Sequence, residues 1–184
     1  MSRRTPPAAP VAEKSVPTPG SPDHPDLRNR FREVMARVPT PVSVISSMAA
    51  GLPYGTTVSA FASLSMAPPM VLVSLDRNSE LLAVVREVGR FGVNVLGAHQ
   101  ADLASTFAKK GGPAKFSDAP WETDHELPRL PGAPGWLACE VAALVDGGDH
   151  VVALGTVVAA DTIEGQPLTY HNRVFGTHAV LPEA

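Results

Sequence analysis

Cysteine is nearly absent from this sequence: its 184 residues hold one, Cys139. No intramolecular disulfide can form, which suits a reducing compartment. Charge of one sign is also missing. Fifteen Lys and Arg stand against eighteen Asp and Glu, for a net charge of −3, with no run of like charge. That balance argues against a nucleic-acid binder, which would carry a basic surface. No apolar stretch approaches the roughly 20 residues that span a bilayer. Arg3-Arg4 is followed by Pro, Ala, Glu and Ser rather than an apolar run, so a twin-arginine leader does not fit. A soluble cytoplasmic protein is expected. Aromatics are few, at 5%, while Val and Ala dominate the apolar set, and 15 glycines with 19 prolines promise frequent turns. This composition points away from an all-helical bundle.

The organisation along the chain is uneven. Residues 1–26 hold seven prolines and almost no large apolar side chain, and are expected to be a disordered arm. Residues 27–184 are expected to form one domain. Leu27, Phe31, Val34, Met35 and Val38 fall at helical spacing, and Pro39 and Pro41 end that helix. Pro41 to Ser47 reads as a strand, and Tyr54 to Ala62 as an extended, hydroxyl-rich segment. The run from Met70 to Leu75 is apolar at nearly every position, so a strand buried on both sides is expected. Asn78 or Ser79 can cap a helix carrying Leu81, Val84, Val85 and Val88, which Gly89 can stop. Phe91 to Leu96 alternates, with Phe91, Val93 and Val95 on one face. A short helix fits 100–109, followed by a polar loop over 111–135. Strands over 136–145 and 150–160 flank the turn Asp146-Gly-Gly-Asp149, and 167–175 can add a last strand. Consecutive strands with short turns imply an antiparallel barrel with flanking helices.

Motifs of familiar chemistry are missing too. There is no Gly-x-Gly-x-x-Gly after a strand, no P-loop spacing and no Gly-x-Ser-x-Gly elbow. The six histidines form no zinc-like pattern, so no metal is expected. Three features remain. Thr57, Ser59, Ser63 and Ser65 place hydroxyls beside small residues that let a planar ligand reach the backbone, but from composition alone a water-facing edge strand is the favoured account. His150 stands at the start of a strand beside a Gly-Gly turn, where a histidine is more often a surface residue than a functional one. Lys109, Lys110 and Lys115 are either solvated charges at a helix end or a phosphate site.

Read in order, these segments resemble one family. The run GTTVSAFASLSMAPPMVLVSL beginning at Gly55 is similar to the flavin-binding strand of the short-chain flavin reductases. These include the reductase components of two-component flavin-dependent monooxygenases. Ser79, RFGVNVL at 90–96, LASTFAKK at 103–110, KF at 115–116, GGDH at 147–150 and PLTYHNRVF at 167–175 continue it. The resemblance spans about residues 28–180. It departs in the last segment, where Tyr170-His-Asn-Arg-Val-Phe175 replaces the more usual Tyr-x-x-Gly-x-Tyr.

The resemblance implies a mainly β fold with flanking helices, the FMN-binding split β-barrel, as a homodimer with the flavin near the interface. It implies FMN or FAD held by Thr57, Val58, Ser59, Ser63, Ser74, Leu75, Asp76, Ser79, Phe91 and Gly92. Lys110, Lys115 and Phe116 would lie on the phosphate side, and His150 by the nicotinamide of NADH or NADPH. The implied activity is hydride transfer from NAD(P)H to the flavin, with no side chain as nucleophile or base. Reduced flavin would diffuse to a partner monooxygenase. A flavoprotein acting on its own organic substrate and a non-catalytic flavin-binding module are the alternatives. Neither nucleic acid nor membrane is an expected partner.

Overall fold

The computed structural model describes residues 25–181. Most of the expected arm therefore lies outside the described residues, and its last two, Pro25 and Asp26, open the first helix. That helix, α1 (Pro25–Ala36), leads into β1 (Thr40–Pro41), β2 (Ser43–Ala49), β3 (Leu52–Val58), β4 (Phe61–Met66) and β5 (Pro69–Asp76). Then come α2 (Glu80–Val88), β6 (Arg90–Val95), α3 (Ala101–Phe107) and the short strands β7 (Glu122–Asp124) and β8 (Leu127–Arg129). The long strands β9 (Gly135–Gly147) and β10 (His150–Thr162) precede a closing hairpin, β11 (Thr169–His171) and β12 (Val174–Gly176).

Seven strands form one antiparallel sheet in the order β3-β2-β6-β9-β10-β5-β4. β3 and β4 are consecutive in the chain yet sit at opposite ends of that order. The sheet therefore curls into a barrel whose two ends are joined through Ser59 and Ala60, and the Ser74 N–H donates to the Ala60 carbonyl at 2.9 Å, one step beyond the β4–β5 ladder. Among the described residues no ladder joins β3 to β4. The barrel is split there.

The alternation read from Phe91 to Leu96 positions two cores. Phe91 and Val93 point inward to join Ile45, Val73, Leu75, Cys139, Val151 and Ala153, closed by Leu82 and Val85 of α2. The opposite face of β6 meets the outer elements. Leu96 joins Val44, Phe107, Phe116 and Leu130, while Trp136 packs with Leu127 and Ala138. Two close approaches fix these layers. A Cβ on Gly155 would lie 2.4 Å from Phe91 Cζ, and one on Gly92 would lie 2.4 Å from the Trp136 ring. Only glycine fits at either position. Burial pushes the Cys139 thiol up to about 12, so it serves as a small apolar filler.

Several expectations are corrected. Tyr54–Ala62 is two strands, because the chain leaves the sheet at Ser59. In β5 only Val71, Val73 and Leu75 are buried, whereas Met70, Leu72 and Ser74 are half-covered on the outer face. The expected loop over 111–135 contains a 3₁₀ turn at Gly112–Phe116 and the β7–β8 hairpin. The expected last strand is a hairpin turning at Asn172 and Arg173, both with positive φ. The expected α1 forms, but its apolar stripe is uncovered: Leu27, Phe31 and Val34 are each at least 60% exposed.

The β7–β8 hairpin is pinned to the barrel through one buried amide. Asn94 Nδ2 donates to the Val44 carbonyl at 3.2 Å and the Pro128 carbonyl at 3.4 Å, and Oδ1 accepts from the Leu130 N–H at 2.7 Å. Ser46 Oγ donates to the same Pro128 carbonyl at 2.6 Å. Asn94→Ala strands the buried Leu130 N–H, so it should cost about 2–4 kcal/mol. Urea unfolding at fixed protein concentration should show a lower midpoint. An unchanged midpoint would mean that the hairpin is held by its apolar contacts alone.

Candidate functional site

The split leaves β3 as an edge strand, so every second backbone N–H along it points away from β2. What lies under this edge is set by small residues. A Cβ on Gly55 would sit 3.0 Å from Phe116 and 3.1 Å from Phe107, so the glycine lets the ring pair rise to the strand. Those rings meet edge to face with centroids 4.7 Å apart. Thr57 Oγ1 donates to the Ala104 carbonyl at 2.7 Å, tying β3 to α3.

Across the split stands the corner between β5 and α2. The Asp76 carboxylate accepts from the Asn78 N–H at 2.7 Å, and the Ser79 N–H donates to the Asp76 carbonyl at 3.0 Å. Ser79 is the N-cap of α2, its Oγ accepting from the Leu82 N–H at 3.1 Å. The cap leaves the serine hydroxyl proton free to donate elsewhere, at the positive end of a helix.

One end of the groove is basic. Lys115 Nζ donates to the Lys109 carbonyl at 2.9 Å and the Phe107 carbonyl at 3.1 Å, capping the C-terminal end of α3. Partial burial lowers the Lys115 pKa from its ordinary value, and the Glu80 carboxylate partly opposes that shift. Glu80 lies against Gly112, where a Cβ would be 2.5 Å from Oε2.

The opposite end carries the β9–β10 turn. His150 Nδ1 is 2.8 Å from Asp149 Oδ1, and the histidine beside it holds the Asp149 carboxyl below the usual carboxylate range. The His150 side chain is 41% exposed.

Two cavities occupy this space and share Thr56, Asp76 and Ser79. The smaller, about 200 Å³, is lined by Thr57, Val58, Ser59, Ser74, Leu75 and His150 besides the shared residues. The larger, about 440 Å³, runs past Tyr54, Asn78 and Glu80 to Lys109, Lys110 and Lys115. They form one groove along the split, open to solvent, with His150 at one end and the lysines at the other.

Ten of the fourteen residues named from the sequence line this groove. Four do not. Phe91 is wholly buried over Gly155, and Gly92 faces the Trp136 ring. Phe116 is 4% exposed beneath Gly55, and Ser63 is exposed on β4 outside both cavities. Phe91 and Gly92 therefore build the core behind the site, and Phe116 its floor. Sequence reasoning missed Tyr54, Thr56 and Asn78 among the lining residues. Their proximity to Ser79 and Lys110 comes from the β3 edge facing the α2 corner, which no local pattern encodes.

The flavin reductase like domain matches residues 35–179. The chain belongs to the flavin reductase-like family. It is 38% identical over 146 residues to the reductase component of the 4-nitrophenol 4-monooxygenase/4-nitrocatechol 2-monooxygenase of Rhodococcus opacus, covering 79% of this chain and 78% of that one. It is 35% identical over 147 residues to an FMN reductase (NADH) of Agrobacterium fabrum, covering 79% and 83%. Among solved structures, nitrilotriacetate monooxygenase component B from Mycobacterium thermoresistibile superposes with a TM-score of 0.80 at 27% identity, over 86% of this chain and 92% of that one. The NADH:FAD oxidoreductase of Streptomyces globisporus C-1027 gives 0.79 at 29%, over 90% and 100%. The split-barrel fold is that of these flavin reductases.

Removing the cap of α2 has a direct expected cost. Ser79→Ala should lower stability by about 1 kcal/mol without any ligand present. A lower thermal midpoint would show it; no change would mean that a water or a neighbour replaces the cap.

Proposed function

We propose that this protein is an NAD(P)H:flavin oxidoreductase that reduces FMN or FAD and releases the reduced flavin to a partner monooxygenase. The supporting observation is the single open groove that joins an edge strand, a serine-capped helix start, three lysines and His150.

These residues fit a flavin and a nicotinamide. The β3 edge offers backbone donors and small hydroxyl side chains to a flat polar ring. Ser79 and the α2 N-terminus suit an anion, as do Lys110 and Lys115, so a ribityl phosphate finds donors on two sides. When bound, the flavin supplies the chemistry, accepting a hydride from the nicotinamide. The protein's part would be to bring the two ligands together in the groove, and positioning of that kind can remove much of the barrier. His150 orients the nicotinamide or its carboxamide and transfers no proton. The absence of a dinucleotide fold and the openness of the groove favour ligands that come and go.

The flavin site is proposed to be completed by a second copy of the chain. The uncovered stripe on α1 is the feature that asks for one, since a 12-residue helix gains little stability alone. Light scattering should report a dimer, and a stable monomer would remove the interfacial site. Among the described residues no helix is long and apolar enough to cross a membrane. The lone buried thiol and the nicotinamide co-substrate fit a cytoplasmic setting.

The deciding assay is oxidation of NADH and NADPH, followed by nicotinamide absorbance, with FMN, FAD or neither added. Saturable turnover that needs free flavin is expected, and it would name both specificities. No turnover with any pair, in folded protein, would overturn the reading. His150→Ala should raise the KM for the nucleotide more than it weakens flavin affinity; an unchanged KM removes His150 from the site.

A pH dependence follows from Lys115. Because its folded pKa is depressed, its positive charge is lost on the alkaline side at a pH below the ordinary lysine range. Flavin affinity should therefore fall as pH rises toward that range, and Lys115→Met should flatten the fall. A profile identical in the variant would show that Lys115 does not meet the phosphate.

A further inference from the structure

His150 opens β10 directly after the β9–β10 turn. Its turn is built from Gly147 and Gly148, the second at φ +71, with nothing within 4 Å of a Cβ placed there. Such a turn has little stiffness of its own. His150 itself is in register with Asp76 of β5 and Gly147 of β9, and the turn ahead of it is tied down further by one residue that lines neither cavity. Arg77 Nη1 lies 2.9 Å from Asp146 Oδ1 on one side of the turn. Its Nε and Nη2 donate to the Gly148 carbonyl at 3.2 and 3.0 Å. Its backbone N–H donates to the Asp149 carbonyl at 3.0 Å. Asp149 in turn meets the His150 ring at 2.8 Å. The other side of Arg77 is the corner itself, flanked by Asp76 and by Asn78 and Ser79, which line the groove.

We propose that Arg77 is a positioning residue for nucleotide binding, clamping the turn that carries His150 to the corner that carries Asp76 and Ser79. This inference rests on the reading of His150 given above. Four bonds from one residue converge on the turn at Asp146, Gly148 and Asp149, across 69 to 72 positions of sequence. An exposed ion pair alone would contribute little to stability, and Arg77 and Asp146 are 37% and 58% exposed. The arrangement is instead suited to fixing a distance. A planar guanidinium can grip a carbonyl with two N–H groups while it pairs with a carboxylate, and a lysine ammonium cannot reproduce that fork. With the clamp in place, the Asp149 carboxylate is held where it meets the His150 ring. Without it, the ladders still fix where β10 begins, but the turn over 147–149 and the His150 side chain that Asp149 meets are freer, and the nucleotide must select one arrangement on binding.

The test compares Arg77→Met, Arg77→Lys, His150→Ala and the double variant Arg77→Met/His150→Ala, each checked for thermal stability. Arg77→Met should raise the nucleotide KM about tenfold, the scale of losing charge-assisted hydrogen bonds. Flavin affinity, read by fluorescence titration, should stay within about twofold, and Arg77→Lys should recover part of the loss. The double variant should match His150→Ala alone, because the clamp acts through the histidine. An Arg77→Met enzyme with an unchanged KM, beside a His150→Ala enzyme with a raised one, would sink the positioning role and leave His150 in the site. So would full multiplication of the two effects, or a loss of flavin affinity as large as the rise in KM. A His150→Ala enzyme with normal KM would instead sink the histidine's role, and this inference with it.

Discussion

The barrel closes without a ladder. Six antiparallel pairings run through the sheet, and a seventh, between β3 and β4, would complete the cylinder. In its place stands only the two-residue link Ser59-Ala60, whose Ala60 carbonyl continues the β4–β5 ladder by accepting from the Ser74 N–H. Both cavities lie along that gap. The unpaired edge of β3 supplies one wall, the corner leading into α2 the other, and the β9–β10 turn and the lysines after α3 stand at the ends. An edge strand is normally a hazard that proteins cover or charge. Here its backbone is kept uncovered beside small residues, and the rigidity needed to hold it there comes from Gly55 seated on the Phe107–Phe116 pair.

The outer layers are fastened by polar contacts in addition to the apolar burial of Leu127, Leu130 and Trp136. Asn94 holds the β7–β8 hairpin from within. At its rim Arg129 pairs with Asp124 at 2.8 Å and with Asp161 of β10 at 2.5 Å, which raises the arginine's pKa and lowers that of Asp161. α1 is joined to the closing hairpin by the Asn172 N–H to the Ala36 carbonyl at 2.7 Å and by Arg173 with Glu33. These ties place the helix but do not cover its apolar stripe.

Much of this was legible in the sequence where the signal was local. The alternation at Phe91–Leu96 named both faces of β6 correctly, Ser79 and Gly89 bracketed α2, and the Gly-Gly turn set His150 at the head of β10. Hydroxyl and lysine segments far apart in the chain were recognised through their family resemblance, and most line one groove. What stayed hidden was non-local or lacked its usual residues. The β7–β8 turn uses His125 and Glu126 at positive φ, where asparagine or glycine would have signalled it. Phe91 and Phe116 read as ligand contacts because an aromatic side chain looks the same in sequence whether it stacks on a ring or fills a core. The break of β3 from β4 has no turn signature, since Ser59-Ala60 carries neither glycine nor proline. Arg77 carried no motif at all, because its meaning depends on a carbonyl 71 residues away.

The burial of Cys139 has a consequence under the proposed function, in which reduced flavin leaves the protein. Free reduced flavin reacts with oxygen, so peroxide arises where such a protein works. A thiol is attacked as its thiolate, and only where solvent reaches it. Cys139 is wholly enclosed between Phe91 and Gly155 and stays protonated far above neutrality. On that proposal, the chain's one thiol is shielded from peroxide formed by released flavin.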